Sequence, residues 1–242
     1  MSAALAGRVA LVSGGAQGLG AAIVRALHQA GASVTIADPG TDGRGMGADP
    51  GLAQGLARTL GSRALAYPES IASPSTAAAA VDLTVRRLGG LDIVVNAAAI
   101  RREASVLATD PGDWEAVLRV NLFATYYVLA AATAALRSRG RIVNLVRIAD
   151  GPARGAQAVA AAGVLTLTRD TARDLAPLGA SCNALIAGEA ESPEAIATAA
   201  LFLASDGAAA ISGMAIGPSG GKLVRFGDDF RPGPRLDLPP AR

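Results

Sequence analysis

Residues 8–20 read Arg-Val-Ala-Leu-Val-Ser-Gly-Gly-Ala-Gln-Gly-Leu-Gly. A short β-branched run, Arg8–Ser13, enters a glycine-rich turn, and the turn opens an apolar segment of helical period, Leu19–Ala30. Glycines in such a turn let the backbone reverse sharply, admit a pyrophosphate against the main chain and bring helix close to strand. The free N–H groups of the helix start then face the anion. Eighteen residues after Gly20, Asp38 ends a second strand, Ser33–Ala37. A carboxylate there accepts both hydroxyls of a ribose and repels a 2′-phosphate, which favours NAD over NADP. Glycines alone could serve only the turn. Their place between strand and helix, with Asp38 following, marks Gly14, Gln17, Gly18, Leu19, Gly20 and Asp38 as nucleotide contacts.

Outward from this unit the pattern repeats. Gly31 is expected to close the first helix. Strands are expected at Ala64–Tyr67, Leu91–Val95, Arg141–Val146, Ser181–Ile186 and Ala215–Gly217. Helices are expected at Leu52–Leu60, Ser75–Leu88, Asp113–Arg137, Gln157–Leu175 and Pro193–Ala204. Such alternation implies right-handed βαβ units: an α/β fold of Rossmann-like type, a doubly wound parallel sheet with helices on both faces. Nothing interrupts it, so one domain is expected over residues 1–223. Residues 224–242, rich in Pro, Gly and charge, are expected to form an extended tail.

Composition narrows the function classes. The chain has 242 residues, 51% of them hydrophobic and 17% charged, with a formal charge of +2. No basic run exceeds two residues and only one Lys is present, which argues against a nucleic-acid face. No uninterrupted apolar run reaches the roughly 18 residues of a membrane span, and Met1–Gly7 lacks the pattern of a secretory signal. A single Cys, Cys182, fits a reducing compartment, and a cytoplasmic location is expected. His28 has no Cys or acidic partner at ligand spacing, so no metal site is expected. Cys182 and Trp114 read as core and packing residues.

The spacing Gly14-x3-Gly18-x-Gly20, Asn96-Ala97-Ala98-Ala99, Val120-Asn121-Leu122, Gly140-Arg-Ile-Val-Asn144 and Leu201–Asp206 resembles the short-chain dehydrogenase/reductase family. The resemblance covers residues 7 to about 223. It implies a nicotinamide coenzyme, a further coenzyme contact at Asn96, and catalysis by a Tyr-x-x-x-Lys pair with a Ser and an Asn. The Tyr gives or takes the hydroxyl proton, the Lys lowers its pKa, and the Ser holds the reacting oxygen.

Set against that pattern, the Tyr position carries Gln157, the Lys position Ala161 and the Ser position Arg147; only the Asn remains, as Asn121. Gln157 has no titratable proton, and Ala161 can tune nothing. Residues 153–162 contain neither Tyr nor Lys. Arg147 could fork onto a carboxylate or a coenzyme A phosphate, but filling the vacated pocket and pairing with Asp150 is the stronger reading. Asn121 could be a catalytic remnant; a structural bond to main chain is the stronger reading.

Other departures agree. Family members carry a helical lid after the sixth strand, whereas here Ala187 runs almost directly to Pro193. Ala99 adds a methyl where the family has glycine, and the acid expected near adenine is displaced or replaced around Glu69-Ser70. Coenzyme binding, if retained, is expected through the adenosine half of NAD.

The leading expectation is a non-catalytic subunit that assembles with a catalytically intact, NAD-dependent paralogue as a hetero-oligomer, a dimer of dimers. Small residues along Gln157–Ala176 suit the helix interface through which the family dimerises. The pattern resembles hetero-oligomeric β-hydroxyacyl-CoA dehydrogenases such as 2-[hydroxy(phenyl)methyl]succinyl-CoA dehydrogenase of anaerobic toluene degradation. In that enzyme a defective chain accompanies an active one, and an acyl-CoA would be the partner's substrate. Two alternatives stand beside it: an enzyme of altered chemistry using Arg147, and an NAD-sensing regulator.

Overall fold

The computed structural model describes residues 4–147, 155–188 and 191–217. Seven parallel strands run in the order β3-β2-β1-β4-β5-β6-β7. They are β1 (Val9–Ser13), β2 (Ser33–Ala37), β3 (Ala64–Tyr67), β4 (Ile93–Asn96), β5 (Arg141–Arg147), β6 (Ser181–Ala187) and β7 (Ala215–Ile216). The helices are α1 (Gly18–Gln29), α2 (Pro50–Leu60), α3 (Pro74–Leu88), α4 (Pro111–Leu118), α5 (Ala124–Thr133), α6 (Gly155–Leu175) and α7 (Pro193–Ala204).

The central strands are apolar on both faces because helices cover both. Ala10, Val12, Ile93, Val95, Val143 and Leu185 pack with α1, α2 and α7. Their neighbours Leu11, Val94, Ile142 and Cys182 pack with α3, α5 and α6. This period-2 division makes two cores from one sheet, each fully buried Val, Leu or Ile contributing about 1.5–3 kcal/mol. At the far end of the sheet from the glycine turn, Arg141 is 1% exposed. It donates to the carbonyls of Arg139 and Gly140 and pairs with Asp206.

Two features differ from expectation. The Asp113–Arg137 helix is two helices joined by a π-helical turn, Arg119–Phe123. Ala30, not Gly31, caps α1; Gly31 follows at φ 103°, the left-handed conformation that favours glycine just past a helix end. The helical stretch Pro111–Thr133 is long and apolar enough to cross a bilayer by length and composition. It carries Asp113, Glu115 and Arg119 and packs against α3 and α6. The strand order reverses direction between β1 and β4, so a crevice opens at the carboxyl ends of these strands.

Candidate functional site

A groove of about 730 Å³ occupies that crevice. Its near wall is the turn from β1 into α1. Gly14 has φ 64°, and a Cβ on it would lie 2.6 Å from the Ala98 Cα. A Cβ on Gly20 would lie 1.9 Å from the Gly14 carbonyl oxygen. These two glycines are therefore required by packing. Gly18, at φ 50°, would project a Cβ into open space. Helices α2, α3, α4 and α7 are capped by the side chains of Asp49, Ser73, Asp110 and Ser192. At α1 the Gln17 side chain makes no cap bond and instead donates to the Thr41 carbonyl at 3.1 Å. The first-turn N–H groups of α1 thus remain for an anion in the groove, which Gly18, Leu19 and Gly20 line.

Asp38 is 6% exposed and also lines the groove. Its Oδ2 accepts from Ala16 N–H at 2.9 Å and its Oδ1 from Gly40 N–H at 2.8 Å. A carboxylate has about four lone-pair sites, so each oxygen keeps acceptor capacity for a ribose hydroxyl. Ser70, Ile71 and Ala72, after β3, complete this end; Glu69 is exposed. A loop that only Gly could form, an uncapped helix start and a preset carboxylate fit the adenosine diphosphate half of a dinucleotide. The far wall is Ala97–Ile100. Asn96 itself is buried, its Nδ2 donating to Asn144 Oδ1 at 2.9 Å while its own Oδ1 has no partner.

The catalytic end is different. A second cleft of about 530 Å³ adjoins the groove, lined by residues that include Arg147, Gln157, Ala187 and Gly188. Gln157 lies in the first turns of α6, and its buried Oε1 has no hydrogen-bond partner. Ala161, one turn on, packs in an apolar cluster with Val146, Val164 and Ala184. Arg147 ends β5 with its side chain exposed at both clefts. Arg147, expected to fill the vacated pocket, lines both clefts. Its expected partner Asp150, residues 189–190 between β6 and α7, and the tail at 224–242 lie outside the described residues.

Asn121 sits in the π turn and touches neither cleft: its amide bonds both main-chain groups of Ile100. Trp114 packs with Ile100, Val117 and Ala156. Ala156, Ala160 and Ala172 are buried within the chain, and a Cβ on Gly163 would meet Leu122 at 2.8 Å. Part of the small-residue face of α6 is therefore consumed by internal packing. Ala158, Val159 and Ala162 remain exposed, as do Phe123 at the end of the π turn and Tyr126 and Ala130 on α5.

The Gly-, Pro- and Asp-rich segment Asp38–Pro50 reads as a loop in the sequence, but its path was not anticipated. The loop between β2 and α2 reaches across the crevice as a strap. Gly43 accepts from Arg101 N–H at 2.7 Å, and Arg44 accepts from Arg102 Nε at 2.8 Å. Arg102 also pairs with Asp113 at 2.6 Å and contacts the Met46 sulfur at 3.5 Å. Gly45 rests on Ile100, its Cβ position 3.0 Å from Cγ2. The family's lid descends after β6, where here only residues 188–192 join β6 to α7; the strap covers the crevice from the opposite side. The glycines at 40, 43, 45 and 47 and the Arg101-Arg102 pair were the available signals.

Comparison with known proteins agrees with this geometry. The family model described as Enoyl-(Acyl carrier protein) reductase matches residues 14–193. The chain is 30% identical over 251 residues to 3-oxoacyl-[acyl-carrier-protein] reductase FabG of Aquifex aeolicus, covering 91% of this chain and 99% of that protein. It is 31% identical over 253 residues to 4-formylbenzenesulfonate dehydrogenase TsaC1/TsaC2 of Comamonas testosteroni, covering 90% and 98%. The crystal structure of a dehydrogenase/reductase from Sinorhizobium meliloti superposes with a TM-score of 0.81 at 27% identity, covering 89% of this chain and 95% of that one.

Proposed function

The chain belongs to the short-chain dehydrogenase/reductase family, and from that premise we propose that it is a non-catalytic member, a subunit that assembles with a catalytically intact NAD-dependent relative. One observation carries the reading. Where the family places a phenol and an ammonium one helical turn apart, this chain has an amide and a methyl, Gln157 and Ala161. Neither can give, take or stabilise a proton at the cleft. Tyr126 and Tyr127 are on α5 and line neither cleft, and so offer no substitute.

The nucleotide-binding end supports retention of a ligand. The first-turn N–H groups of α1 would hold a pyrophosphate, and Asp38 would accept the ribose hydroxyls and repel a 2′-phosphate, selecting NAD. A bound nicotinamide would supply or accept hydride; among the described residues, Gln157 and Ala161 supply no matching proton transfer. The Ala99 methyl at the far wall adds bulk there. Residues Phe123, Tyr126, Ala130, Ala158, Val159 and Ala162 present an apolar face on the π turn, α5 and α6 that suits a helix-to-helix interface with a related subunit. In that arrangement an alcohol, such as a β-hydroxyacyl-CoA, is oxidised at the partner's site.

Native mass spectrometry of the complex purified from its own cells tests this. The expected result is a hetero-oligomer containing a second dehydrogenase-like chain with an intact Tyr-x-x-x-Lys pair. A species built of this chain alone contradicts it, and an NAD-saturated homogeneous form without turnover would instead favour a regulator.

A further inference from the structure

We propose that the strap gates the nucleotide groove: a nucleotide reaches or leaves the start of α1 only when the strap lifts, so a bound one exchanges slowly. The proposal rests on the reading of the groove as a nucleotide site and adds how that site is entered.

Topology puts the strap across the way in. It leaves the end of β2, and its tip is bonded to the segment after β4; β1 lies between those two strands. The strap therefore crosses the end of β1, where the glycine turn opens α1. Thr41, Asp42, Gly43 and Gly45 line the groove together with Gly14, Gly18 and Gly20. On the near side the Gln17 amide donates to the Thr41 carbonyl, so the strap is tied to both lips. A ligand seated against the first turn of α1 lies beneath this bridge.

The strap is built to move as one piece. Its tip is folded on itself: Asp42 Oδ1 accepts from the N–H groups of Arg44 at 2.9 Å and Met46 at 2.8 Å, and Asp42 N–H donates to the Met46 carbonyl at 2.9 Å. Its base is pinched where Asp49 N–H donates to the Pro39 and Gly40 carbonyls at 3.1 and 3.2 Å. Gly40 and Gly47, at φ 74° and 70°, flank the tip and can absorb a change of backbone angle.

The far lip is fixed instead. Both bonds of the Asn121 amide hold Ile100, and Asp113 holds Arg102. Strap and lip meet through the Gly43 and Arg44 carbonyls, the Met46 sulfur and the seat of Gly45 on Ile100. None of residues 39–49 is buried. A segment with exposed bonds and little buried apolar contact opens locally far more readily than the sheet unfolds, so the strap is the part that yields.

Stopped-flow mixing of the full chain with etheno-ADP-ribose, followed by the probe's own fluorescence, tests the gate, and calorimetry gives the affinity. Opening must precede entry, so the association rate should reach a ceiling as the probe concentration rises. Asp113→Ala frees the Arg102 guanidinium and Met46→Ala removes the sulfur contact; neither residue lines the groove or the cleft beside it. Asp113→Ala should raise that ceiling and the release rate together by roughly tenfold, as for loss of a charged hydrogen bond, while the affinity is unchanged. Met46→Ala should move both rates the same way by less, and it leaves α4 untouched. An association rate that climbs without a ceiling, or release rates unchanged in both variants, overturns the gate and leaves the nucleotide reading in place. Weaker affinity at an unchanged association rate also overturns it, since Asp113 would then act on the bound nucleotide through Arg102. No binding of the probe by the native chain or either variant removes the nucleotide reading itself, and the gate with it.

Discussion

Asn121 closes a two-bond ring with Ile100. Its Oδ1 accepts from Ile100 N–H at 2.8 Å, and its Nδ2 donates to Ile100 O at 3.0 Å. Ile100 forms part of the groove wall and supports the strap through Gly45. Asn121 is thus an anchor for the wall, carried on a turn of π-helix. Asn121→Ala should cost about 1–3 kcal/mol, because two partly buried main-chain groups lose their partners. Urea unfolding measures this, and an unchanged midpoint would contradict the anchoring role.

The glycines divide by function. Gly20→Ala drives a methyl into the Gly14 carbonyl and should compromise folding. Gly18→Val places its side chain in open groove, at the price of a strained positive φ. It should leave a folded chain whose affinity for ADP-ribose is lost. Circular dichroism and calorimetry on both variants separate the two effects; equal loss of structure in both would show that Gly18 serves only the turn.

Arg102 latches the strap through Asp113, the Arg44 carbonyl and the Met46 sulfur. Arg102→Ala should speed hydrogen exchange across residues 42–46 while leaving exchange in β1, β4 and β5 unchanged, since only a local opening is eased. Uniform acceleration throughout the sheet would mean that Arg102 stabilises the whole domain instead.

Burial pushes the Cys182 thiol up to about 12 from 9.0, against a smaller lowering by the Asn144 amide. It should resist alkylation in the native state at pH 7–9 and react at once in denaturant. A group whose pKa is raised on folding contributes stability that is complete below its unfolded value. That stability should therefore fall as pH rises from about 9 toward 12, and Cys182→Ala should remove this share of the decline. Rapid labelling of the native protein at pH 8 would refute the buried assignment.

The parallel sheet was legible because each strand is a short apolar run bounded by turn residues and each connecting helix keeps its period. Ser33–Ala37, Ala64–Tyr67 and Pro193–Ala204 fall where periodicity places them. The break in the long helix was not legible from periodicity, because Arg119–Phe123 has no proline or glycine; only the resemblance pointed to a kink held by Asn121, whose amide bonds the main chain of Ile100. The nucleotide turn was readable from local glycine chemistry. The strap was readable as a glycine-rich loop but not as a cover, since its bonds to Arg101 and Arg102 form only through strand order across the crevice. Asp38 shows the intermediate case: its position was apparent, but its two main-chain donors were not.

The central claim concerns proton transfer at the cleft beside Gln157. Incubating the purified, homogeneous chain with NAD or NADH and a panel of secondary alcohols and ketones, while following nicotinamide absorbance, addresses it directly. The account predicts no rate above the protein-free control at any pH from 6 to 10. Sustained oxidation or reduction that disappears in Gln157→Ala would contradict it.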